Sequence, residues 1–253
     1  MTSRQRFRLL LTSFCLVTLL AMGGYWFRLE SSYDQMRAET LAHLETTSQQ
    51  LANGVAEQMA AVVRSVDLAL LVLRNSHGEG GPAFESAIRA TYGAFPTDAL
   101  TQVGVIDAQG YLDYSNKGSG RVYLGDREHF RVHAEHPDQD RLFISSPVLG
   151  RVSKTWSIQF SRSVRHNGKF AGVVVLSVSP LYLSRTLENL GLGPNDSAAC
   201  FLADGTYLAR SSIIGEYLGK KVKASRRFLS APDETGTFRD LSSFDNTWRS
   251  FAW

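Results

Sequence analysis

The chain of 253 residues carries 27 Lys and Arg against 24 Asp and Glu, a formal net charge of +3, and is 43% hydrophobic. That length and apolar content suit one large domain or two small ones and exclude a disordered chain. The balanced charge forms no basic stripe interleaved with aromatics, which excludes a nucleic-acid binder.

The first element is a run of nineteen residues without a charge, Leu9 to Phe27, long enough at about 28 Å to span a bilayer core. Arg4, Arg6 and Arg8 precede it with no acid among them, which places residues 1–8 in the cytoplasm and the remainder outside. Tyr25, Trp26 and Phe27 suit the outer interface, so the bilayer is the first expected partner. A cleaved signal peptide ending at Ala21-Met22-Gly23 is the rival reading, but the apolar core is longer than such peptides carry. Cys15 falls inside this span and Cys200 far downstream, so no disulfide is expected between them.

From Glu30 to about Arg74 there is no Pro and one Gly, and Leu41, Leu44, Leu51, Val55, Val62, Val66 and Leu73 recur at helical steps. The spacing predicts a long helix over 28–74. Its stripe is close to a coiled-coil seam but is interrupted by Ser48, Gln58 and Ser65, so packing against a domain competes with a homodimer through residues 30–74. His77 to Pro82 ends it, and Ala83 to Ala94 predicts a short second helix.

The period then changes to two. Thr101–Asp107 and Tyr111–Ser115 flank an Ala-Gln-Gly turn, and Leu142–Leu149, Thr155–Val164 and Phe170–Val178 are three further strands, the last two joined by Asn167-Gly168. Between them Asp126–His136 reads as a helix with Asp126 at its N-cap and Pro137 closing it. Five antiparallel strands with intervening helices make an α+β lobe over 75–185. Val105–Leu112 has a weaker echo in Phe201–Leu208, and strands are expected near Thr237–Leu241 and Thr247–Trp253, so 186–253 reads as a second, partial lobe.

The helix start Gly125-Asp126-Arg127-Glu128-His129-Phe130, the strand Leu142–Val148, the strand ending Phe160–Val164 and Phe170–Val175 resemble the double Cache family. These are extracytoplasmic sensors of two PAS-like lobes, found on bacterial chemoreceptors, histidine kinases and diguanylate cyclases. The wording of Asp126–Phe130 and Gly150–Trp156 is most similar to cyclase-coupled sensors. The resemblance implies a lobe of strand order 2-1-5-4-3, a bacterial inner-membrane location and a signal bound in the distal lobe. By that template the second lobe is a strand short, and an exit helix, second span and output domain would lie beyond Trp253. No Gly-Gly-Asp/Glu-Glu-Phe motif, kinase signature, serine elbow or phosphate loop occurs, so no enzyme activity and no cofactor are expected.

By the resemblance the pocket is walled by Arg127, His129, Phe130 and His133 on the helix and by Phe143, Ser145, Trp156 and Ser177 on the strands. Arg127 leads, because a guanidinium offers a planar fork of donors to a carboxylate. The competing reading pairs it with Glu128 or Asp126 on the surface. Amino-acid-binding relatives carry Arg-x-Trp-Tyr and an Asp at the end of the fifth strand; here stand Arg127-x-His129-Phe130 and Ser177. Without that anion an α-ammonium lacks a countercharge, so the expected ligand is a small organic acid or other polar metabolite. His129, His133 and His136 invite a metal, but solvated faces commonly look like this and none is assigned. In the pocket, His129 would titrate between pH 5 and 8. Trp156 alternates with Ile158 and Phe160, so core competes with ligand platform, and Arg151 and Lys154 either cover an anion or keep a turn solvated. The remaining function classes are a subunit pairing with a full-length receptor without a ligand, and an exported enzyme.

Overall fold

The computed structural model describes residues 3–118, 120–212, 214–222, 227–230, 235–242 and 246–253; at 5–11 and 227 it describes backbone alone. Helix α1 (Ser3–Glu79) is continuous through both expected helical segments. No proline precedes Pro82, so nothing removes a rung of its hydrogen-bond ladder. Between Phe14 and Phe27 its apolar side chains stand bare, Trp26 at 71% exposure. Among the described residues no helix is long and apolar enough to cross a membrane. The side chains of Leu9, Leu10 and Leu11, within the expected span, lie outside the described set.

The chain divides into two compact units, Ala52–Glu234 and Met1–Leu51 with Thr235–Trp253. The larger one continues from the distal part of α1 into α2 (Gly81–Ala94), β1 (Leu100–Asp107), β2 (Leu112–Ser115) and α3 (Glu128–Ala134). There follow β3 (Phe143–Ile144), β4 (Val148–Leu149), β5 (Trp156–His166), β6 (Lys169–Val178) and α4 (Pro180–Glu188). The sheet order is β2-β1-β6-β5-β3, with β4 also on β5. That is the order the resemblance implies, with the expected third strand in two pieces. The break falls where Pro147 has no N–H for a ladder and where the Ser145 hydroxyl accepts from the Gln159 N–H at 2.9 Å.

The two faces of this sheet differ in chemistry. Val103, Val105, Ile158, Phe160, Val174 and Leu176 point one way and are sealed by Met59, Val62, Val66, Leu70 and Leu73 of α1 and Phe84 and Ile88 of α2. The distal half of the expected stripe is therefore occupied by the lobe, while Leu44 and Leu51 stay exposed. The other face carries Gln102, Gln159, Ser161, Ser163 and Ser177, all buried, beside a small core of Ile106, Leu124, Phe130, Val173 and Val175.

Register decides which residues reach that second face. Asn167 and Gly168 both take positive φ, the two-residue turn that matches strand twist, and pair His166 with Lys169. A bulge between Val164 and Arg165 then shifts the ladder by one, so Gln159 rather than Ile158 stands opposite Ser177. Gly172, next to the extra residue Ala171 on β6, has φ +144, and a side chain there would collide with the Ile106 carbonyl.

Beyond α4, β7 (Ala199–Phe201) and β8 (Tyr207–Arg210) form a two-stranded sheet, followed by the single turns α5 (Ile214–Tyr217) and α6 (Arg227–Ser230). Leu208 and Ala209 join the same core as Leu183 and Leu187 of α4. In the smaller unit β9 (Thr237–Leu241) and β10 (Trp248–Ala252) pair only with each other among the described residues. Phe238 stacks on Phe251 at 4.9 Å, the Trp253 carbonyl accepts from Gln49 Nε2 at 3.1 Å, and Arg239 approaches Glu45 at 3.4 Å.

Candidate functional site

A cavity of about 40 Å³ opens on the polar face of the six-stranded sheet. Its floor is Gln102, Gln159 and Ser177; Ile106, Leu112, Leu124 and Val175 form apolar walls; Arg127, His129 and the segment from Val148 to Val152 close the top. The floor is internally bonded, with Ser177 Oγ donating to Gln159 Oε1 at 2.6 Å, Gln159 Nε2 to Ser157 Oγ at 2.8 Å and Gln102 Nε2 to Ser115 Oγ at 2.8 Å. Burying so many polar groups side by side is costly unless hydrogen bonds compensate, and these bonds hold the floor in place.

Both cations at the top belong to the lining, and they are held differently. Arg151 forms a two-pronged pair with Asp126 at 2.9 and 2.8 Å and donates to the Tyr123 carbonyl at 2.6 Å, which ties the loop after β4 to the approach to α3. The hydrogen bond from Arg151 holds the Asp126 carboxyl below its usual range. Asp126 is therefore not the N-cap of α3. That position is Arg127, in extended backbone with no side-chain cap bond, and the helix ends at Ala134, short of His136. The Arg127 guanidinium is partly buried and, among the described residues, has no hydrogen bond or ion pair, so neither Asp126 nor Glu128 takes it. No Asp or Glu lines the cavity.

Of the eight residues expected to wall a pocket, the structure brings Arg127, His129 and Ser177 to this cavity. Phe130 packs into the small core and meets Phe170 edge to face at 5.9 Å. His133 is fully buried under α3, where Nε2 lies 3.0 Å from Ser161 Oγ, itself donating to the His129 carbonyl, and Phe143 lies against the His133 ring. Ser145 bonds to β5 and to the Ser146 carbonyl, and Trp156 is 46% exposed at the outer end of β5. The expected titration of His129 between pH 5 and 8 does not hold. Burial, then the charges of Arg127 and His133, push it down to about 4, and burial does the same to His133. Burial thus favours the neutral form of both rings. Among the described residues no group of three potential metal ligands comes together.

Gln102 and Gln159 were not singled out from the sequence. The signal for them was a glutamine inside each of two otherwise apolar and serine-rich strands, but a register counted from the turn alone sends Gln159 to the opposite face. Arg151 was visible only as one of two loop cations.

No known family's profile matches the chain, and no curated protein matches it. Solved structures do. The extracellular domain of rpHK1S-Z16, described as a histidine kinase, superposes with a TM-score of 0.68 at 24% identity, covering 85% of this chain and 88% of that one. The ligand-binding domain of the Campylobacter jejuni chemoreceptor Tlp3 in complex with L-valine gives 0.56 at 13% identity over 85% and 88% of the two chains. That of the Pseudomonas fluorescens chemoreceptor CtaA with L-valine gives 0.56 at 15% over 85% and 97%. The chain thus has the fold of the extracellular and ligand-binding domains of such histidine kinases and chemoreceptors.

Proposed function

We propose that this chain is an extracytoplasmic sensor, anchored by its N-terminal helix in a bacterial inner membrane, that binds a small carboxylate in the cavity beneath α3. The observation that carries this reading is Arg127, half-buried at the cavity, without an ion-pair partner among the described residues and facing a lining that contains no acid. A half-buried guanidinium whose donors no side chain takes favours an anion, and the fork geometry favours a carboxylate. The bare apolar band from Phe14 to Phe27 supports the anchor, since water-exposed apolar patches of that size mark membrane or protein contacts.

The site sits where it can bias α1. Odd-numbered residues of β5 face the cavity and α3; Arg162, on the opposite side of the strand, grips Asp67 of α1 at 2.5 and 2.8 Å. Asp140 bridges Arg162 at 3.1 Å and Arg74 at 2.9 Å, giving a four-charge clasp between β5 and α1. A ligand that favours one seating of α3 on β5 shifts the population of α1 positions through that clasp. A second copy pairing along α1 would use Leu44 and Leu51, which are exposed. The likeness of Asp126–Phe130 and Gly150–Trp156 to cyclase-coupled sensors points to a diguanylate cyclase as the output of a longer relative.

The test is a thermal-shift screen of the full chain in detergent against organic acids, amines and amino acids. A carboxylate at a hundred times its dissociation constant should stabilise by about 2.7 kcal/mol. Arg127→Ala should abolish that shift while leaving the unliganded melting point within a degree or two. Stabilisation by amines alone, or an unchanged carboxylate shift in the variant, would overturn the reading.

A further inference from the structure

Two guanidiniums line the cavity, yet only one is available to a ligand. Arg151 has both terminal nitrogens on Asp126 and one also on the Tyr123 carbonyl, whereas Arg127 has no side-chain partner among the described residues. The unpaired charge presented to the cavity is therefore a single positive one. The space beneath is about 40 Å³, room for a few water molecules and far below the roughly 300–1,000 Å³ of pockets for drug-sized ligands. The walls above the polar floor are aliphatic: Ile106, Leu112, Leu124 and Val175.

Resting on the carboxylate reading above, we infer that Asp126 is the specificity-determining residue of this site: by neutralising Arg151 it restricts the ligand to a short monocarboxylate. The carboxylate lies on Arg127 and the short aliphatic remainder meets the apolar walls. A second carboxylate would have to compete with Asp126 for Arg151, in a place where Asp126 itself repels it. An ammonium group would enter with Arg127 close by and no acid in the lining. The same Arg151–Asp126 pair ties down the loop after β4, so the exclusion is steric as well as electrostatic. Asp126 and Arg151 are 52% and 37% exposed, which makes the pair a weak contributor to stability and a suitable point to alter without unfolding the lobe.

Propionate, L-alanine and succinate form a matched series of probes, the second adding an ammonium and the third a carboxylate. They are titrated calorimetrically into the full chain in detergent. The native chain should bind propionate at least about tenfold more tightly than either alanine or succinate. Asp126→Asn keeps the shape of the side chain and removes its charge, and should raise succinate affinity relative to propionate by about tenfold. Adding Arg151→Gln to that variant should cancel the gain. Arg151→Gln alone leaves Asp126 uncompensated at the mouth and should weaken propionate several-fold, which gives a second readout if Asp126→Asn melts early.

If propionate binds through Arg127 but the succinate ratio is the same with Asp126 or Asn at this position, the inference fails and the carboxylate reading stands. If propionate, succinate and alanine all leave the native chain without heat or melting shift, or bind undiminished after Arg127→Gln, the carboxylate reading fails and the inference with it.

Discussion

In the first hairpin, β1–β2, Asp107 Oδ1 accepts from the Gln109 and Tyr111 N–H groups, Gly110 takes φ +85, and the Gly110 carbonyl accepts from Leu124. In its echo, β7–β8, Asp204 accepts from Thr206, Gly205 takes φ +82, and the Gly205 carbonyl accepts from Val222. The backbone of the turn is the same down to the segment that returns to cover it, but the carboxylate stands three residues before the glycine in the first hairpin and directly before it in the second. The surroundings differ. β1 lies between β2 and β6 and is buried almost throughout, while β7, partly buried, pairs only with β8 among the described residues. The returning segment of the first hairpin runs on through Leu124 to Asp126 and Arg127 and so builds the cavity. A shared local motif thus yields this cavity only where a third strand and α3 enclose it, because a cavity needs walls that a hairpin alone does not supply.

The largest expected difference between the copies is at their glycines. A Cβ on Gly110 would stand 2.6 Å from the Gly125 Cα, a backbone atom, so Gly110→Ala should cost at least about 3 kcal/mol in chemical denaturation. At Gly205 the nearest atom is Val222 Cγ1 at 3.0 Å, a side chain that can move, and Gly205→Ala should cost about 1–2 kcal/mol. Equal losses would mean that the environment of the turn does not matter.

Next in size is ligand protection. Under saturating propionate, amide exchange should slow across β1, β5 and β6 by up to the equivalent of about 2.7 kcal/mol and stay nearly constant in β7–β8. Uniform slowing would place the ligand elsewhere or make the two hairpins one cooperative unit. Smaller again is the loss of the turn carboxylates. Asp107→Ala removes the acceptor of two N–H groups and should cost about 1–2 kcal/mol, against about 0.5–1 kcal/mol for Asp204→Ala, which removes one such bond and the surface pair with Lys221.

The smallest effect is a pH dependence confined to the echo. The Lys221 ammonium, then the Thr206 hydrogen bond, hold Asp204 down to about 2. A carboxylate depressed in the fold stabilises it fully above its unfolded range near pH 4 and loses that stabilisation as pH falls through the folded value. An NMR titration should find Asp204 still ionised at pH 3, and Lys221→Ala should move its midpoint upward. A midpoint near 4 in the native chain would remove the ion pair from solution.

Much of this molecule could be read along the chain. The proline-free run before Pro82 determined α1, alternation and the Asn167-Gly168 turn determined the strands of the six-stranded sheet, and Arg127 followed from its motif. These depend on neighbours within a few residues, where periodicity and turn chemistry act directly. Three features of the site did not follow in that way. The bulge beside Gly172 moved Gln159 to the cavity face, Arg151 rather than Arg127 took Asp126, and burial pushed the His129 pKa down to about 4. Each depends on which distant segment packs where: β6 against β1, the loop after β4 against the start of α3, and α3 against β5. Periodicity sets the elements, but register, ion-pair choice and desolvation arise only once the sheet is assembled and covered.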